Sequence, residues 1–229
     1  MDFSIRSYRS ELLDLPNIPA ADIQRNLYEL SVINHQLGGH AITLKGFFRL
    51  AKKEKQLHVC EIGCGGGDNL KVIEKKAAKE NEGLHFTGID INPDCIRVAE
   101  NTGWQKPARF LVSDYRKIQF QTKPDIIFSS LFCHHFKDYE LIEMFRWMKR
   151  NARLGFFIND LHRHPLAYHS IRLLTSRFSR SYLVKHDAPL SVLRGFKKKE
   201  LTDLLFQAGI SNYNIQWQWA FRWLVIVRS

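Results

Sequence analysis

Short hydrophobic runs alternate with amphipathic stretches along most of this chain. Five mostly apolar runs predict buried strands, at residues 57–62, 84–91, 108–112, 125–129 and 154–158. Between them, apolar residues recur at helical spacing, as Leu70, Ile73 and Ala77 do within residues 69–79. Residues 139–151 are amphipathic in the same way. Strands that alternate with helices predict a parallel sheet whose two faces are covered by helices.

The last part of the chain predicts a helix followed by a hairpin. Residues 198–208 have helical periodicity, and Gly209 can end that helix in a left-handed turn. Residues 210–217 and 221–228 are then two further strands that pair with each other. The complete prediction is an α/β fold with a doubly wound, mostly parallel sheet of seven strands and an antiparallel strand at one edge.

Two segments fall outside this alternation, and we expect both to cap the sheet. Residues 1–50 are mostly helical in pattern, and residues 161–196 follow the fifth strand. Open α/β sheets bind ligands at the carboxyl ends of their strands, so we place both segments there. The chain is then one domain, 1–229, with an N-terminal helical cap (1–50), a core (51–160), a cap insertion (161–196) and a last helix and hairpin (197–229).

Length and composition are those of an ordinary globular domain. The chain has 229 residues, of which 45% are hydrophobic and 25% charged, which argues against large-scale disorder. Its N-terminal stretch contains acids and no apolar run, so we do not expect a secretion signal. No segment approaches the roughly 20 apolar residues that a membrane span needs. The 4 cysteines form no CxxC pair, so we expect reduced thiols and a cytoplasmic protein.

The net charge of +11 is compatible with nucleic acid, membrane surfaces or anionic substrates, and it does not choose among them. Part of the excess lies in three lysine runs near predicted helix ends, where solvated helix faces explain it. These runs are KKEK at 52–55, KK at 75–76 and KKK at 197–199.

The stretch "VCEIGCGGGDN" joins the first strand to the first core helix. Gly63, Gly65 and Gly67 form GxGxG, whereas a dinucleotide loop needs a third glycine where this chain has Asp68. An aspartate there competes with pyrophosphate for the positive end of the helix. Glu61, at the strand end, can act on an ammonium group. The loop therefore favours a ligand with an amino acid moiety, such as S-adenosylmethionine.

This stretch resembles motif I of the class I S-adenosylmethionine-dependent methyltransferases, and the resemblance covers about residues 57–160. Asp90, in "FTGIDINPDCI", matches the acid that binds the ribose hydroxyls, and Asp114, in "FLVSDYRK", matches the acceptor for the adenine amine. "PDIIFSSLFCHHF" matches the fourth strand and the loop beside the methyl donor. The resemblance implies a Rossmann-like fold and cofactor contacts from Glu61, Gly63, Cys64, Gly65, Asp90, Ile91, Asp114, Tyr115 and Ser130.

Several of these residues also have purely structural interpretations. The glycines can be turn formers, Asp90 can cap the helix that opens near Pro93, and Asp114 can be a turn residue. We interpret Cys64 as a small spacer and not as a nucleophile, since no base lies beside it in sequence.

Two groups of histidines follow neighbouring strands. His134 and His135 follow the fourth strand, and "NDLHRHPLAYH" places His162 and His164 after the fifth. A zinc site is weakly supported, because there is no HExxH and no cysteine near the second group, so we predict no metal. Histidine is suited to proton removal from a hydroxyl at neutral pH.

Among these histidines we favour His135 as the base. His162 or His164 would then orient the acceptor, or would act as the base in place of His135. If a helical turn begins at Phe132, then Phe132, His135 and Phe136 share one face. His134 would lie off that face, and adjacent residues point in different directions.

The acceptor is the least determined part of the prediction. "PLAYHSIRLLTSRFSRSYLVKH" mixes apolar residues with arginines. It fits an amphipathic helix with solvated arginines, a lid for a small molecule that is hydrophobic with or without an anionic group, or a membrane-facing surface. The N-terminal region and "NDLHRH" resemble small-molecule methyltransferases of phenolic, quinone-like or polyketide products, which favours O-methylation of a lipophilic acceptor.

Two other classes of function stay open. The basic charge allows a nucleic-acid or protein methyltransferase, but no NPPY or DPPY follows the fourth strand and no RNA-binding module is visible, so we expect no stable nucleic-acid partner. A non-catalytic protein on this fold is disfavoured by the intact set of acids. The oligomeric state is open.

Overall fold

A single seven-stranded sheet organises the protein, in the order β3-β2-β1-β4-β5-β7-β6. The structure is a computed structural model that describes residues 2–51, 54–78 and 83–229. The strands are β1 (Gln56–Ile62), β2 (Gly83–Asp90), β3 (Ala108–Val112), β4 (Ile126–Ser130), β5 (Gly155–Leu161), β6 (Tyr213–Gln218) and β7 (Arg222–Arg228). The helices are α1 (Ala20–Gln36), α2 (Gly39–Leu50), α3 (Asp68–Ala77), α4 (Pro93–Glu100), α5 (Asp138–Asn151), α6 (Pro165–Phe178), α7 (Tyr182–Arg194) and α8 (Lys198–Gln207).

Strand direction agrees with the predicted doubly wound architecture. The first five strands pair in parallel, and β7 runs antiparallel to both β5 and β6. The closing hairpin of β6 and β7 is therefore confirmed. Because β7 is reversed, its first residue, Arg222, lies opposite Leu161 at the carboxyl end of β5.

Local sequence explains where the core helices begin. The Asn92 side chain accepts a hydrogen bond of 2.9 Å from the Asp94 N–H, and Pro93 occupies the first turn of α4. Gly67, with a φ of 74°, turns the chain directly into α3 at Asp68. The end that was predicted for this helix, Lys79, lies outside the described residues, as do two lysines of the 52–55 run.

Helix α2 packs on a face of the sheet and not over the strand ends. The prediction that the N-terminal cap extends to residue 50 is therefore wrong for this helix. Its buried residues Ile42, Phe47 and Leu50 join the core against one face of the sheet. Gly46 permits this close packing, since a Cβ there would lie 2.5 Å from the Phe157 ring. The second core, on the opposite face, includes Phe145 of α5 and residues of α8.

The carboxyl ends of the strands are covered by α1, by α7 and by residues 2–18, which we call the N-terminal strap. Leu27 of α1 lies over Gly65 and Gly66 of the loop after β1. The strap runs beside α7, where the Ser7 N–H donates to the Leu193 carbonyl at 3.0 Å. Over the described ranges, none of the helices has the length and apolarity that a membrane crossing requires. All four cysteines are buried and free.

Candidate active site

The loop between β1 and α3 is shaped by glycines with left-handed backbone. Gly63 has a φ of 65°, and a Cβ built on it would lie 2.1 Å from the Phe132 ring. A side chain at Gly63 is excluded both by backbone strain and by this contact. Gly65, which has a φ of 51°, lies beneath Leu27 of α1. The loop is thus held between α1 and the segment after β4.

Glu61 is the buried acid of this loop. Its side chain is 0% exposed, and neither carboxylate oxygen makes a hydrogen bond of normal geometry. Burial raises the pKa of Glu61 well above its usual range, the charge of Asp68 raises it further, and the nearby Asn69 amide opposes the rise. A buried carboxyl group without a partner is costly unless a cation compensates it. Glu61 therefore fits the ammonium group of an amino acid ligand.

Asp90 connects the end of β2 to the glycine loop. Its carboxylate accepts hydrogen bonds of 2.9 Å from the Gly65 N–H and of 2.9 Å from the Asn92 N–H. Burial raises the pKa of Asp90, and these N–H groups and the charge of His135 oppose the rise. Asn92 provides the side-chain cap of α4, so the capping role considered for Asp90 is wrong. The neighbouring Ile91 side chain is 75% exposed beside this carboxylate.

Asp114 is already paired with an arginine. It accepts from the Arg116 N–H at 2.9 Å, and its carboxylate forms an ion pair with the Arg116 guanidinium at 2.6 Å. The hydrogen bond from the Arg116 side chain lowers the pKa of Asp114. The Tyr115 side chain is buried edge-on against Trp147. The adenine-binding role of Asp114 and Tyr115 remains a prediction.

The remaining predicted cofactor residues, Cys64 and Ser130, are both buried. Burial raises the pKa of the Cys64 thiol well above its usual range, so this side chain is a spacer and not a thiolate nucleophile. The Ser130 hydroxyl lies 3.3 Å from the Asn159 side-chain nitrogen, which can donate to it. A cofactor contact from either residue remains a prediction.

The two adjacent histidines after β4 point in the same direction, contrary to the prediction that they diverge. Their ring centroids are 4.4 Å apart, because both lie in a short 3₁₀ turn, Cys133–His135. Together with Glu11, Asp14 and Asp160 they form what we call the histidine–acid cluster. Its five members come from the strap, from this turn and from the end of β5.

His134 is the buried member of this pair. Its Nδ1 lies 2.7 Å from Asp160 Oδ1, and its Nε2 lies 3.5 Å from Glu11 Oε1. Burial alone would lower the pKa of His134, but the charges and hydrogen bonds of Asp160 and Glu11 outweigh it and raise the pKa to about 9. At neutral pH His134 is therefore a cation engaged on both sides and is not available as a base.

His135 is the more accessible of the two, with 21% of its side chain exposed. Its Nδ1 lies 3.2 Å from Asp14 Oδ1, and its Nε2 lies 3.8 Å from Glu11 Oε2, which is beyond hydrogen-bond range. Sequence analysis missed Glu11 and Asp14, whose only local signal is the acid spacing in "ELLD".

Three arginines fix the strap over this cluster. Arg194 donates to the carbonyls of His134 at 3.1 Å, His135 at 2.9 Å and Arg9 at 2.8 Å.

The other two arginines hold the start of the strap. Arg163, 1% exposed, donates to the carbonyls of strap residues Phe3 and Ser4 and pairs with Glu200. Arg6 of the strap donates to the Phe136 carbonyl. The position of the acids beside His135 thus depends on these charge-assisted hydrogen bonds.

Glu11, His134 and His135 also present three ligand atoms within 4.8 Å of one another. However, His134 is protonated by its pairing with Asp160, and Arg194 Nε lies 3.9 Å from Glu11 Oε1. These cations already balance the charge of Glu11, so we assign no metal to this group.

The second histidine group lies among aromatic side chains at the end of β5. His162 is 4.9 Å from the Trp223 ring centroid, and His164 stacks on Phe221 at 5.0 Å. Burial lowers the pKa of His162, and the charge of His164 lowers it further. His164 caps α6, since its Nδ1 accepts from the Leu166 N–H at 3.2 Å. This structural role was not predicted for His164.

The sheet order, the glycine loop after β1 and the acid at the end of β2 define a class I S-adenosylmethionine-dependent methyltransferase fold. Residues 59–155 match the family model described as a methyltransferase domain. The chain therefore contains a methyltransferase domain, which uses S-adenosylmethionine as its cofactor. No curated protein matches its sequence.

Several solved structures are similar in fold. The plantazolicin methyltransferase BpumL, bound to S-adenosylhomocysteine, is 17% identical over 90% of this chain and 99% of that chain, with a TM-score of 0.65. Human N-acetylserotonin methyltransferase, bound to S-adenosylmethionine, is 16% identical over 92% of this chain and 56% of that chain, with a TM-score of 0.63. The magnesium protoporphyrin IX methyltransferase of Synechocystis PCC 6803 is 16% identical over 91% of this chain and 94% of that chain, with a TM-score of 0.59.

Proposed function

We propose that this enzyme methylates a hydroxyl oxygen of a small, largely apolar acceptor of the phenolic, quinone-like or polyketide type. The observation that carries the proposal is the partly exposed His135, whose Nδ1 is held by Asp14 at 3.2 Å. A histidine oriented by a carboxylate on one ring nitrogen can take a proton on the other. With its proton on Nδ1 facing Asp14, His135 receives the acceptor's proton on Nε2.

Different residues of this chain have separate roles in the reaction. When bound, the cofactor supplies an activated methyl group. Glu61 and Asp90 hold the cofactor, and the strap and α1 exclude water from the strand ends. Alignment of the acceptor can lower the barrier by roughly 7–11 kcal/mol in favourable cases. His135 then removes the hydroxyl proton, which is worth roughly 10²–10⁴-fold.

Exposed apolar side chains support a lipophilic acceptor. On α6, Leu173 is 57% exposed and Phe178 is 78% exposed, and in the closing hairpin Trp219 is 69% exposed. Contiguous exposed apolar surface is typical of regions that receive apolar ligands, and Leu173 and Phe178 lie on the same helix. The exposed Arg172 and Arg177 on α6 suit an anionic group on the acceptor or an encounter with it at a lipid surface.

The test is a labelling experiment with the purified protein. It is incubated with cofactor carrying an isotopically labelled methyl group and with pairs of acceptors that differ only in a hydroxyl or an amine, such as naphthols and naphthylamines. We expect label on the hydroxyl oxygen, identified by mass spectrometry, and little label in His135→Gln. Label found only on the amines, or only on added RNA or protein, would contradict the proposal.

A further inference from the structure

The guanidinium of Arg222 is buried without a partner. This residue begins β7 and is 3% exposed, and its Nη1 makes no hydrogen bond. Among residues 2–51, 54–78 and 83–229, none forms an ion pair or a side-chain hydrogen bond with it. Burial lowers the pKa of Arg222 to about 10, so the group stays positively charged at neutral pH. A buried charge of this kind needs a compensating anion.

Arg222 lies against the first turn of α2. A Cβ built on Gly39, the first residue of this helix of 12 residues, would lie 2.9 Å from Arg222 Cζ and 1.8 Å from Asn34 Oδ1. The first N–H groups of a helix have no intrahelical partner, and this end of a helix attracts anions. A cation at the same end is unfavourable unless an anion joins it. Gly39 leaves room for the guanidinium to reach this end.

Other polar atoms around this point also lack partners. Neither Asn34 Oδ1 nor His40 Nδ1 nor Asn159 Oδ1 has a hydrogen-bond partner among the described residues, although all three are buried. They surround the start of α2, because the Asn34 and His40 side chains both contact Asp68 Oδ2, and the Asn159 side-chain nitrogen donates to the Gly39 carbonyl at 3.0 Å. A set of unpartnered polar atoms around a buried cation is the arrangement of a binding site.

The nearest acids do not neutralise Arg222. Asp160 and Asp68 are the carboxylates whose charges act on it. However, Asp160 is engaged by His134 at 2.7 Å, and Asp68 is engaged by His40 at 2.7 Å. These carboxylates act on Arg222 only from a distance, so a ligand is the available source of an anion in direct contact with it.

We propose that Arg222 and the N-terminus of α2 bind the carboxylate of the cofactor's amino acid moiety. S-adenosylmethionine carries one carboxylate and one ammonium group on the same carbon. The site offers a matching pair of buried groups without partners, Arg222 for the carboxylate and Glu61 for the ammonium. The planar guanidinium can also donate two parallel hydrogen bonds to a carboxylate. This inference depends on the cofactor and not on the acceptor proposed above.

The test compares two ligands by isothermal calorimetry, in the absence of any acceptor. The first is S-adenosylhomocysteine, and the second is 5′-deoxy-5′-(3-aminopropylthio)adenosine, which lacks only the carboxylate. Arg222→Met should weaken binding of the first ligand roughly tenfold to hundredfold and change binding of the second less than about twofold. Arg222→Lys should fall between Arg222→Met and the native protein. Arg228→Met removes a positive charge at the other, exposed end of β7 and should leave both affinities unchanged.

Two results would overturn the inference. One is unchanged affinity for S-adenosylhomocysteine in folded Arg222→Met. The other is an equal loss for both ligands, which would assign Arg222 to the shape of the site and not to the carboxylate. Thermal unfolding without ligand provides a second readout, because replacing an unpartnered buried charge with an apolar side chain should keep or raise the midpoint. A lowered midpoint would mean that Arg222 has a structural partner. A failed search for hydroxyl methylation would leave these measurements unaffected.

Discussion

Replacing His134 with glutamine should make the stability of this protein respond differently to alkaline pH. The pKa of His134 is raised to about 9 because Asp160 and Glu11 outweigh the effect of burial. The imidazole of His135 and the guanidinium of Arg194 are the other ionisable groups beside it. The difference between about 9 and the ordinary 6.5 corresponds to about 3 kcal/mol of folding free energy.

The sign follows from the direction of the shift. Since the folded protein binds the proton more tightly than the unfolded chain, the stabilisation is present in full below about pH 6.5. It is lost as the pH rises through about 9. The difference in unfolding free energy between the native protein and His134→Gln should therefore shrink by about 3 kcal/mol from pH 6.5 to pH 10. Lysine and tyrosine titrations are common to both proteins and cancel in the difference.

Urea unfolding, followed by tryptophan fluorescence at several pH values, measures this difference. His169→Gln, a change of an exposed histidine, gives the background of the method. If the native protein and His134→Gln remain separated by a constant free energy, within roughly 0.5 kcal/mol, His134 is not the protonated centre of the cluster. In that case its contacts with Asp160 and Glu11 are those of a neutral imidazole.

Three further measurements address the site. Asp90→Ala should weaken S-adenosylhomocysteine binding by roughly 1.5–3 kcal/mol in calorimetry while the protein stays folded, and unchanged affinity would limit Asp90 to supporting the loop. Gly63→Ala should lower the unfolding free energy by at least roughly 1 kcal/mol, because the left-handed backbone and the Phe132 ring both oppose a Cβ. An unchanged urea midpoint would show that the loop can relax to accept the methyl group. His135→Gln should lower kcat at least roughly tenfold with cofactor affinity within about twofold. Full turnover from about pH 6 to about pH 9 would assign the base to His162 or His164, or would indicate alignment without a base.

The fold was predictable because its signals are local. Each core strand is a short apolar run bounded by turn residues, and Gly67 and Asn92 mark the starts of two helices. The assignment of α2 failed for a reason that is also local. The spacing of its apolar residues, which include Phe47, is the same for a cap helix as for a helix that packs on the face of a sheet.

The chemistry of the site was less predictable because its partners are far apart in sequence. The glycine loop and Asp90 are adjacent to strands and could be identified from motifs. The partner of His134 on the strap, Glu11, and its partner on β5, Asp160, are brought to it only by tertiary packing. Arg222 carries no local signal at all, since a charged residue at the start of a strand is usually solvated.

The strap has a consequence for how the enzyme is made. The segment is synthesised before its anchors, Arg163 and Arg194, which lie 160 and 185 residues further along the chain than Phe3 and Arg9, the strap residues they bind. During translation, residues 2–18 can therefore form their contacts with α7 only after this helix has emerged from the ribosome and folded. Contacts of such long sequence separation form late, because the loop between them must first be closed. The acids beside His135 can consequently join it only after β1 to β5 have been synthesised, so a nascent chain can pair these five strands before the histidine–acid cluster is complete.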